Sequence, residues 1–238
     1  MAETTRLVED KQEFDWPPLE SNPEVFTEYL RNIGLKPNFV ISEVYGFDEE
    51  VLAFLAQPTL GVIVAIERIN RDLDVKKGEP VGDNKTVDFY MDQSGELDNA
   101  CGIIACLHAI LNSSESMISP ESILDGFQNE TKTLSPSEIC QALQKNQLFK
   151  TAHKTFSMKG QSTAVVNVND QSKVQHHFVS FVVNKEGKLV ELDGTKKGPY
   201  VIGDCGDVLR GSIAEIQKRL NSGEISHKMS MMTLNSAM

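Results

Sequence analysis

The chain has 238 residues, 40% of them hydrophobic, and its 34 acidic and 23 basic residues give a formal net charge of −11. This length and composition fit one soluble globular domain with a substantial core. The negative charge argues against nucleic acid or an anionic membrane as the main partner and permits a basic protein partner. No basic-then-apolar leader opens the chain, and no apolar run is long enough to span a bilayer. We therefore expect a cytoplasmic protein, with the nucleus as a second compartment.

Four cysteines, Cys101, Cys106, Cys140 and Cys205, are scattered through the chain without a CxxC pair. This spacing predicts neither a disulfide framework nor a zinc site, so we expect reduced thiols and no bound metal. A buried cysteine usually serves as a small hydrophobic residue, and a reactive one has to be recognised from its surroundings.

Hydrophobic periodicity and helix-start signals divide the chain into helices and strands. The predicted helices are 23–35, 48–57, 101–111, 119–127, 135–145 and 207–220. The predicted strands are 39–44, 60–66, 86–91, 177–183, 188–192 and 226–234. The continuous apolar run at 60–66 is typical of a central strand buried on both faces. Helices precede hairpins along the chain, which favours an α+β fold with an antiparallel sheet, in one domain over residues 1–238.

Three polar stretches are predicted to lie outside this framework. Residues 1–15 are expected to be flexible, as chain termini often are. Residues 68–85 are charged and contain glycines, which indicates a surface loop. Residues 151–175 are mostly polar, and we predict a mobile surface loop there.

The stretch 98–111 has the pattern of a buried helix with Cys101 in its first turn. Asp98 or Asn99 is the predicted N-cap, because a short side-chain oxygen accepts a bond from an orphan backbone N–H. A thiol in that turn meets converging N–H groups and the positive end of the helix dipole, which favours the nucleophilic thiolate. Gly102 is expected to leave room beside the sulfur for a substrate backbone.

A hairpin later in the chain supplies a base and a carboxylate. If residues 184–187 form its turn, position 183 lies beside 188, and His177 lies nearly opposite Asp193 on the neighbouring strand. Opposed residues have Cβ atoms about 4.5–5.5 Å apart, close enough for a carboxylate to orient an imidazole. With Cys101 this gives a nucleophile, a base and an orienting carboxylate, the layout of a papain-like thiol hydrolase.

Structural roles also explain these residues. His177 could simply end a strand, and Asp193 with Gly194 is an ordinary turn signal. Cys106 lies among Ile and Leu and is predicted to be core, and His108 is about two turns from the helix start, too far to serve the nucleophile. From the residues alone, a Cys-His-Asp enzyme and an unrelated α+β binding domain both stay open.

Several short segments occur in a fixed order along nearly the whole chain. They are PLESNPEV at 18–25, GLKP at 34–37, VYGFD at 44–48, NACG at 99–102, LHAI at 107–110, GQ at 160–161, HF at 177–178 and ELDG at 191–194. This ordered set resembles the ubiquitin carboxyl-terminal hydrolases, the small papain-like cysteine deubiquitinases. The resemblance implies an antiparallel sheet flanked by helices, a knotted backbone, no cofactor, and ubiquitin as the partner.

The resemblance also implies a role for each site residue. Cys101 would be the nucleophile, His177 the general base and acid, and Asp193 the residue that orients it. Gln93 would stabilise the oxyanion, although the stretch from Gln93 to Cys101 is two residues longer than the family pattern. Either the extra residues bulge outward and Gln93 keeps this role, or backbone amides such as that of Cys101 supply the donors.

Substrate contacts follow from the same resemblance. Pro18, Leu19 and Glu20 resemble a ubiquitin-contact region, and Gly102 would stay small beside the glycines of the ubiquitin tail. Residues 157–174 correspond to the family's crossover loop, which would limit the leaving group to small adducts or short, unfolded peptides. The expected reaction is acyl transfer from the C-terminal glycine of ubiquitin, and the acidic surface would steer this basic partner.

Two other functions stay open beside this one. The first is a hydrolase that prefers NEDD8. The second is a weakly active ubiquitin-binding protein, which the longer Gln93 spacing favours. Because the chain ends at Met238, soon after the last predicted strand, we expect no appended domain and a monomer.

Overall fold

The computed structural model describes residues 14, 16–69, 86–113, 116–159 and 176–236. Its strands are β1 (Phe39–Glu43), β2 (Thr59–Glu67), β3 (His176–Val183), β4 (Lys188–Leu192), β5 (Tyr200–Asp204) and β6 (Ser230–Ser236). Its helices are α1 (Pro23–Ile33), α2 (Glu49–Leu52), α3 (Cys101–Leu111), α4 (Ile123–Thr131), α5 (Pro136–Lys145), α6 (Gln147–Ser157) and α7 (Val208–Asn221), with a 3-10 turn at Gly95–Leu97. Within these ranges, none of the helices is both long and apolar enough to cross a membrane.

The six strands form one antiparallel sheet in the order β1-β6-β2-β3-β4-β5. The late strand β6 therefore lies between β1 and β2, and helices flank the sheet. The predicted α+β class with an antiparallel central sheet is confirmed. The knotted backbone is not tested by the described residues and stays a prediction.

Strand β2 is the central strand that the apolar run at 60–66 predicts. Its Ile63 and Ala65 belong to the core that contains α1 and α3. Its Val62, Val64 and Ile66 belong to a second core, which contains α7. Because both faces of β2 are buried, its residues 60–66 are apolar without a break instead of alternating with polar ones.

Side-chain caps begin α1 and α5, whose starts the sequence predicts correctly. The Asn22 side chain accepts backbone N–H groups of the first turn of α1, and this helix ends at Gly34, where φ is 130°. Ser135 and Glu138 form a reciprocal capping box at the start of α5. Each cap satisfies donors that have no partner inside the helix.

The prediction of a strand at 86–91 is wrong, because side chains of α3 satisfy the backbone there. The side chain of Asn112 accepts the N–H of Phe89 at 2.9 Å and donates to its carbonyl at 2.7 Å. The N–H of Met91 donates to Nε2 of His108 at 3.1 Å. The segment is therefore held against a helix and has no strand partner in the described parts of the chain.

The predicted helix start at Ser119 is also wrong. Glu121 has a positive φ of 59°, which is incompatible with a right-handed helix. The side chain of Ser122 is the actual cap, so α4 begins four residues later than Ser119 and extends to Thr131.

The predicted loop at 151–175 is helical in its first part. Asn146 caps α6, which runs to Ser157 and buries Phe149 and Phe156 in the core. Strand β5 was not predicted, because it lies at the sheet edge and no residue along it is fully buried. The predictions for residues 1–13, 70–85 and 160–175 lie outside the described residues.

The N-terminal segment docks on α6 through a buried histidine. Trp16 is fully buried, and its ring centroid lies 4.8 Å from that of His153. Nε2 of His153 bonds to the carbonyl of Pro17 at 2.7 Å, and Nδ1 faces the hydroxyl of Tyr29 at 3.4 Å. Burial lowers the pKa of His153 to about 4, so the ring is neutral near pH 7.

The β3–β4 hairpin is shifted by one residue from the predicted register. Val183 pairs with Leu189, not with Lys188. The N–H of Gly187 donates to the carbonyl of Asn184 at 2.9 Å, and φ at Gly187 is 74°. A three-residue loop that ends on a left-handed glycine therefore closes this hairpin.

Candidate active site

Cys101 is the first residue of α3, as its position in the predicted helix implies. The predicted caps Asp98 and Asn99 are wrong, because Ala100 occupies the cap position without a side-chain bond. Asp98 instead closes the Gly95–Leu97 turn, which leads into the helix. The sulfur thus lies at the helix terminus where N–H groups are free and the macrodipole is positive.

The surroundings of Cys101 favour the thiolate. Burial alone would raise the pKa of the thiol, but a hydrogen bond and the charge of His177 lower it. Backbone bonds from Phe178 and Gly102 act in the same direction, and the pKa lies below its ordinary value. A thiolate is the nucleophilic form of cysteine, so these contacts make Cys101 the candidate nucleophile of the site.

His177 and Asp193 meet as predicted, although the register differs. The β3–β4 ladder ends at the pair Ser180 and Leu192, after which Asp193 leaves the sheet. Nε2 of His177 lies 2.7 Å from Oδ1 of Asp193. Because Nε2 is occupied in this way, the other ring nitrogen, Nδ1, is the one left for Cys101.

Three further residues hold Asp193, and sequence reasoning missed all three. The backbone N–H and the hydroxyl of Thr195 donate to its Oδ1 at 3.0 and 2.8 Å, and Arg68 forms an ion pair with its Oδ2. The hydroxyl of Tyr90 donates to its backbone carbonyl at 2.7 Å. The one sequence signal for Arg68 is its position directly after the buried strand β2, which pairs with the strand that carries His177.

The protonation of the pair follows from these contacts. Burial lowers the pKa of His177, but the charge and hydrogen bond of Asp193 and the bond to Cys101 raise it to about 9. Burial would raise the pKa of Asp193, but His177 and Arg68 hold it well below its usual range. Near neutral pH the site therefore holds an imidazolium and a carboxylate, and the imidazolium shifts Cys101 towards its thiolate form.

Cys106 lies in the core, as predicted, and His108 is buried on the same helix. Burial raises the pKa of the Cys106 thiol, which keeps it protonated and unreactive. Burial lowers the pKa of His108 to about 4, and its ring stacks on Tyr90 with centroids 5.2 Å apart. Across the described ranges, no group of His, Cys, Asp or Glu side chains is arranged to hold a metal ion.

Gln93 lies beside the triad, and the longer stretch before Cys101 bulges outward. The N–H of Gln93 donates to the carbonyl of Gly194 at 2.8 Å, next to Asp193. Residues 94–96 are exposed. One N–H of the Gln93 amide donates to the carbonyl of Asp98 at 2.9 Å, which leaves the second N–H of that nitrogen for another acceptor.

Helix α5 fixes the bulge. Nε2 of Gln144 donates to the carbonyl of Ser94 at 2.9 Å. The Ser94 hydroxyl also lies 3.6 Å from the sulfur of Cys140. The loop that joins Gln93 to the nucleophile is therefore tied to a helix at its first residue.

The comparisons with known proteins agree with this geometry. The family described as "Ubiquitin carboxyl-terminal hydrolase, family 1" matches residues 16–221. The chain belongs to this family. A Drosophila melanogaster ubiquitin carboxyl-terminal hydrolase is 35% identical over 191 residues, which are 77% of this chain and 80% of the relative. The Arabidopsis thaliana ubiquitin carboxyl-terminal hydrolase 3 is 36% identical over 194 residues, 77% of each chain.

Solved structures support the fold of this ubiquitin carboxyl-terminal hydrolase. The catalytic domain of Trichinella spiralis UCH37, solved bound to ubiquitin vinyl methyl ester, matches with a TM-score of 0.72. The match covers 93% of this chain and 95% of that one at 23% identity. The architecture is therefore that of the papain-like hydrolases of this family, and the enzyme is a cysteine-type ubiquitin C-terminal hydrolase.

The predicted substrate-contact segment lies at the surface of this hydrolase only in part. Leu19 is buried in the core that contains α1, whereas Pro18 and Glu20 are half-buried. Glu20 lines a surface groove together with the exposed side chains of Tyr45 and Phe54. An apolar residue between two partly accessible ones anchors the segment to the core.

Packing supplies a reason for Gly102 that the sequence did not suggest. A Cβ at this position would lie 3.1 Å from Cζ of Phe26 and 3.6 Å from Cδ2 of Phe178. The space beside Gly102 is therefore filled by aromatic rings of the protein. The predicted role beside the ubiquitin tail stays a prediction.

Proposed function

We propose that this enzyme cleaves small adducts or short, unfolded peptides from the C-terminal glycine of ubiquitin by Cys-His-Asp acyl transfer. The observation that carries this proposal is the contact of His177 with both Cys101 and Asp193 in a chain of this family. Two structural neighbours, forms of UCH37 from Trichinella spiralis, are solved bound to ubiquitin vinyl methyl ester.

In the first half of the reaction the Cys101 thiolate attacks the carbonyl carbon of the terminal glycine. The carbonyl π electrons move to oxygen and give a tetrahedral oxyanion. As the oxyanion collapses, the bond to the leaving amine breaks, and Nδ1 of His177 gives its proton to that amine. The product is a thioester between ubiquitin and the enzyme.

In the second half, neutral His177 takes a proton from water, whose oxygen attacks the thioester carbonyl. The second oxyanion collapses, the carbon–sulfur bond breaks, and Cys101 leaves as a thiolate beside the imidazolium. Nε2 of His177 keeps its proton and donates it to the Asp193 carboxylate throughout, so the proton that is transferred is always the one on Nδ1. The free carboxylate of ubiquitin is then released.

Oxyanion stabilisation is assigned to Gln93 together with the backbone N–H of Cys101. The bulge at 94–96 supports the role of Gln93, because it absorbs the longer spacing and keeps the residue next to Gly194. The second N–H of the Gln93 amide is the donor proposed for the oxyanion.

Ubiquitin recognition is assigned to Pro18 and Glu20, held in place by the buried Leu19 between them, with Gly102 beside the tail. The net charge of −11 would accelerate association with the basic face of ubiquitin. The restriction to small leaving groups is attributed to the segment at 157–174. A monomeric state and a cytoplasmic or nuclear location remain predictions.

The experiment that tests the proposal is covalent capture by ubiquitin that carries an electrophile at its C-terminus. Wild type is expected to form a thioether adduct, and Cys101→Ser is expected to form none. Gln93→Ala should react more slowly because an oxyanion donor is lost. No adduct with wild type under conditions in which ubiquitin binds would contradict the proposed hydrolysis.

The substrate range is tested by turnover with matched substrates. Ubiquitin and NEDD8 bearing the same C-terminal fluorophore should be compared at equal concentration, and we expect faster release from ubiquitin. A stably folded protein linked to the ubiquitin terminus should be cleaved much more slowly than a short peptide. Equal rates for these two conjugates would contradict the restriction on the leaving group.

One observation favours a second function. The Gln93 amide already donates to the carbonyl of Asp98, which occupies one of the two N–H groups that could stabilise an oxyanion. A protein with weak activity that mainly holds free ubiquitin is therefore the alternative. Tight ubiquitin binding with very slow turnover in wild type would support this alternative.

A further inference from the structure

Among the described residues, the ion pair between Arg68 and Asp193 is the contact that brings a permanent positive charge to this carboxylate. We propose that Arg68 is a positioning residue, which holds the Asp193 carboxylate by the oxygen that His177 does not contact and sets how tightly His177 holds its proton. The meaning of this role for catalysis rests on the proposed function, but the role itself is testable without ubiquitin.

The two oxygens of Asp193 are divided between different partners. Oδ1 accepts bonds from Nε2 of His177 at 2.7 Å and from the N–H and hydroxyl of Thr195. Oδ2 accepts a hydrogen bond from Nη2 of Arg68. The Asp193 side chain is 1% exposed, so water contributes little to its solvation and these partners determine its orientation.

The backbone places Arg68 where its side chain reaches this carboxylate. Arg68 directly follows β2, in which Ile66 pairs with His177 on the neighbouring strand. Its own backbone forms an isolated antiparallel bridge with Ile225, and the next residue, Ile69, donates its N–H to the carbonyl of Glu224 at 3.1 Å. The guanidinium is therefore carried by an anchored segment that is continuous with the sheet.

The charge of Arg68 opposes that of Asp193 in its effect on His177. Asp193 favours the imidazolium, whereas the guanidinium disfavours it. A general acid must release its proton to the leaving amine, so a carboxylate without a second cation would hold that proton too tightly. Arg68 keeps its charge over the whole working pH range, and its effect is therefore constant while His177 titrates.

Other ionisable groups face the same carboxylate. The phenol of Tyr90 and the ring of His108 both lie within reach of the Asp193 charge. Tyr90 is a protonated donor, because burial raises its pKa above the ordinary value, and His108 is neutral near pH 7. Asp92 and Glu191 lie beyond Tyr90 and add negative charge. Neither Tyr90 nor His108 supplies a positive charge that could replace Arg68.

The test compares Arg68→Gln and Arg68→Lys with wild type. The pH dependence of Cys101 alkylation by iodoacetamide, followed by mass spectrometry of the Cys101 peptide, reports the thiolate. The pH dependence of kcat/KM for a ubiquitin–fluorophore substrate reports the loss of the His177 proton. Arg210→Gln is the matched control, because it removes an exposed arginine that pairs with Glu49 and Asp207.

Loss of the Arg68 cation should strengthen proton binding at both Cys101 and His177. In Arg68→Gln we expect two shifts to higher pH, each by roughly half a unit or more. One is the acid limb of the pH profile for Cys101 alkylation, and the other is the alkaline limb of the pH profile for kcat/KM. Arg68→Lys should keep both limbs near their wild-type positions with a lower kcat, because a single ammonium group replaces the planar fork. Arg210→Gln should match wild type.

Other outcomes overturn the assignment. A uniform loss of activity in Arg68→Gln with both limbs in place would mean that Arg68 is only structural. If Arg68→Gln does not fold, Arg68→Lys still tests the proposal. This variant keeps the positive charge, so a shift of its alkylation or turnover pH profile would contradict the proposal. Wild-type alkylation with the expected profile but no ubiquitin turnover would reject the proposed function and leave the role of Arg68 intact.

Discussion

The hydroxyl of Tyr90 donates a 2.7 Å hydrogen bond to the backbone carbonyl of Asp193 and lies 2.9 Å from the carbonyl of Lys196. One phenol thus spans the turn that carries the triad carboxylate. Its ring stacks on His108 of the nucleophile's helix, with an interplanar angle of 6°. Through Tyr90 the helix that carries Cys101 and the turn that carries Asp193 are held in one packed unit.

Replacing Tyr90 with Phe tests this link. The change keeps the stacked ring but removes one donor from the carbonyls of Asp193 and Lys196. The Asp193 carbonyl keeps the N–H of Lys196 at 2.9 Å, so we expect a loss of about 1 kcal/mol in the free energy of unfolding. We also expect a several-fold lower kcat with little change in KM, because Asp193 loses a restraint. Urea unfolding and steady-state kinetics measure both effects.

Tyr45→Phe is the control for that experiment, because the Tyr45 ring is exposed and its hydroxyl supports no buried group. Its stability should equal that of wild type. If Tyr90→Phe is as stable and as active as wild type, the hydroxyl does not position Asp193.

Replacing Gly194 with Ala should separate Gln93 from the triad. A Cβ at position 194 would lie 2.9 Å from Cβ of Gln93, 3.0 Å from its backbone nitrogen and 3.1 Å from the carbonyl of Met91. Two of these contacts are backbone atoms that cannot rotate away, so we expect a loss of about 1–3 kcal/mol in stability. The rate of capture by electrophilic ubiquitin should fall with it.

Gly203→Ala is the matched control for this substitution, since a Cβ there meets nothing within 4 Å. It should leave stability and the capture rate near wild type. Equal behaviour of the two alanine variants would mean that the Gln93–Gly194 contact relaxes without consequence.

The tie between Gln144 and Ser94 predicts a second effect on the oxyanion donor. Gln144→Ala removes the 2.9 Å bond that fixes the start of the bulge. We expect kcat to fall several-fold while stability changes by no more than about 1 kcal/mol, since the lost bond is partly exposed. Gln141→Ala, an exposed position one turn earlier on the same helix, is the control. A larger effect on KM than on kcat would argue against this role.

Two buried neutral histidines should make the fold sensitive to mild acid. Burial lowers the pKa of His108 and His153 to about 4, below the unfolded value of about 6.5. The unfolded chain therefore binds more protons between these values, so stability present above pH 6.5 is lost as pH falls towards 4. Each residue accounts for at most about 3 kcal/mol of that loss.

Urea unfolding at a series of pH values measures this slope. His153→Gln should have a shallower slope than wild type, whereas His227→Gln, at an exposed position, should keep it. Asp193, whose pKa lies below its usual range, contributes only at lower pH. An unchanged slope in His153→Gln would show that His153 is not part of the acid response.

The proximity of Cys101, His177 and Asp193 was predictable because each lies at or next to the end of a helix or strand. Local sequence signals locate those ends. The helix pattern after residue 100 places the sulfur at a helix terminus, and the hairpin brings the other two residues together. The one-residue error in register did not affect the predicted contact between His177 and Asp193. Asp193 lies beyond the end of the ladder and turns back towards His177.

The remaining errors share a cause, which is that local patterns do not reveal tertiary partners. Residues 86–91 alternate like a strand, but the side chains of Asn112 and His108 take up their backbone bonds. Arg68 is indistinguishable from the start of a charged loop until the register of β2 with β3 is known. The Phe26 ring that fills the space beside Gly102 belongs to a distant helix.

The position of β6 in the sheet has a consequence for how the enzyme is made. Residues 230–236 separate β1 from β2, so while a ribosome is still synthesising the chain, β2 lacks one of its two neighbours. Pairings between residues so distant in sequence are slow to form. Cys101 and His177 leave the ribosome well before the strand that completes their sheet, and the nascent enzyme should therefore become active only after that strand has emerged.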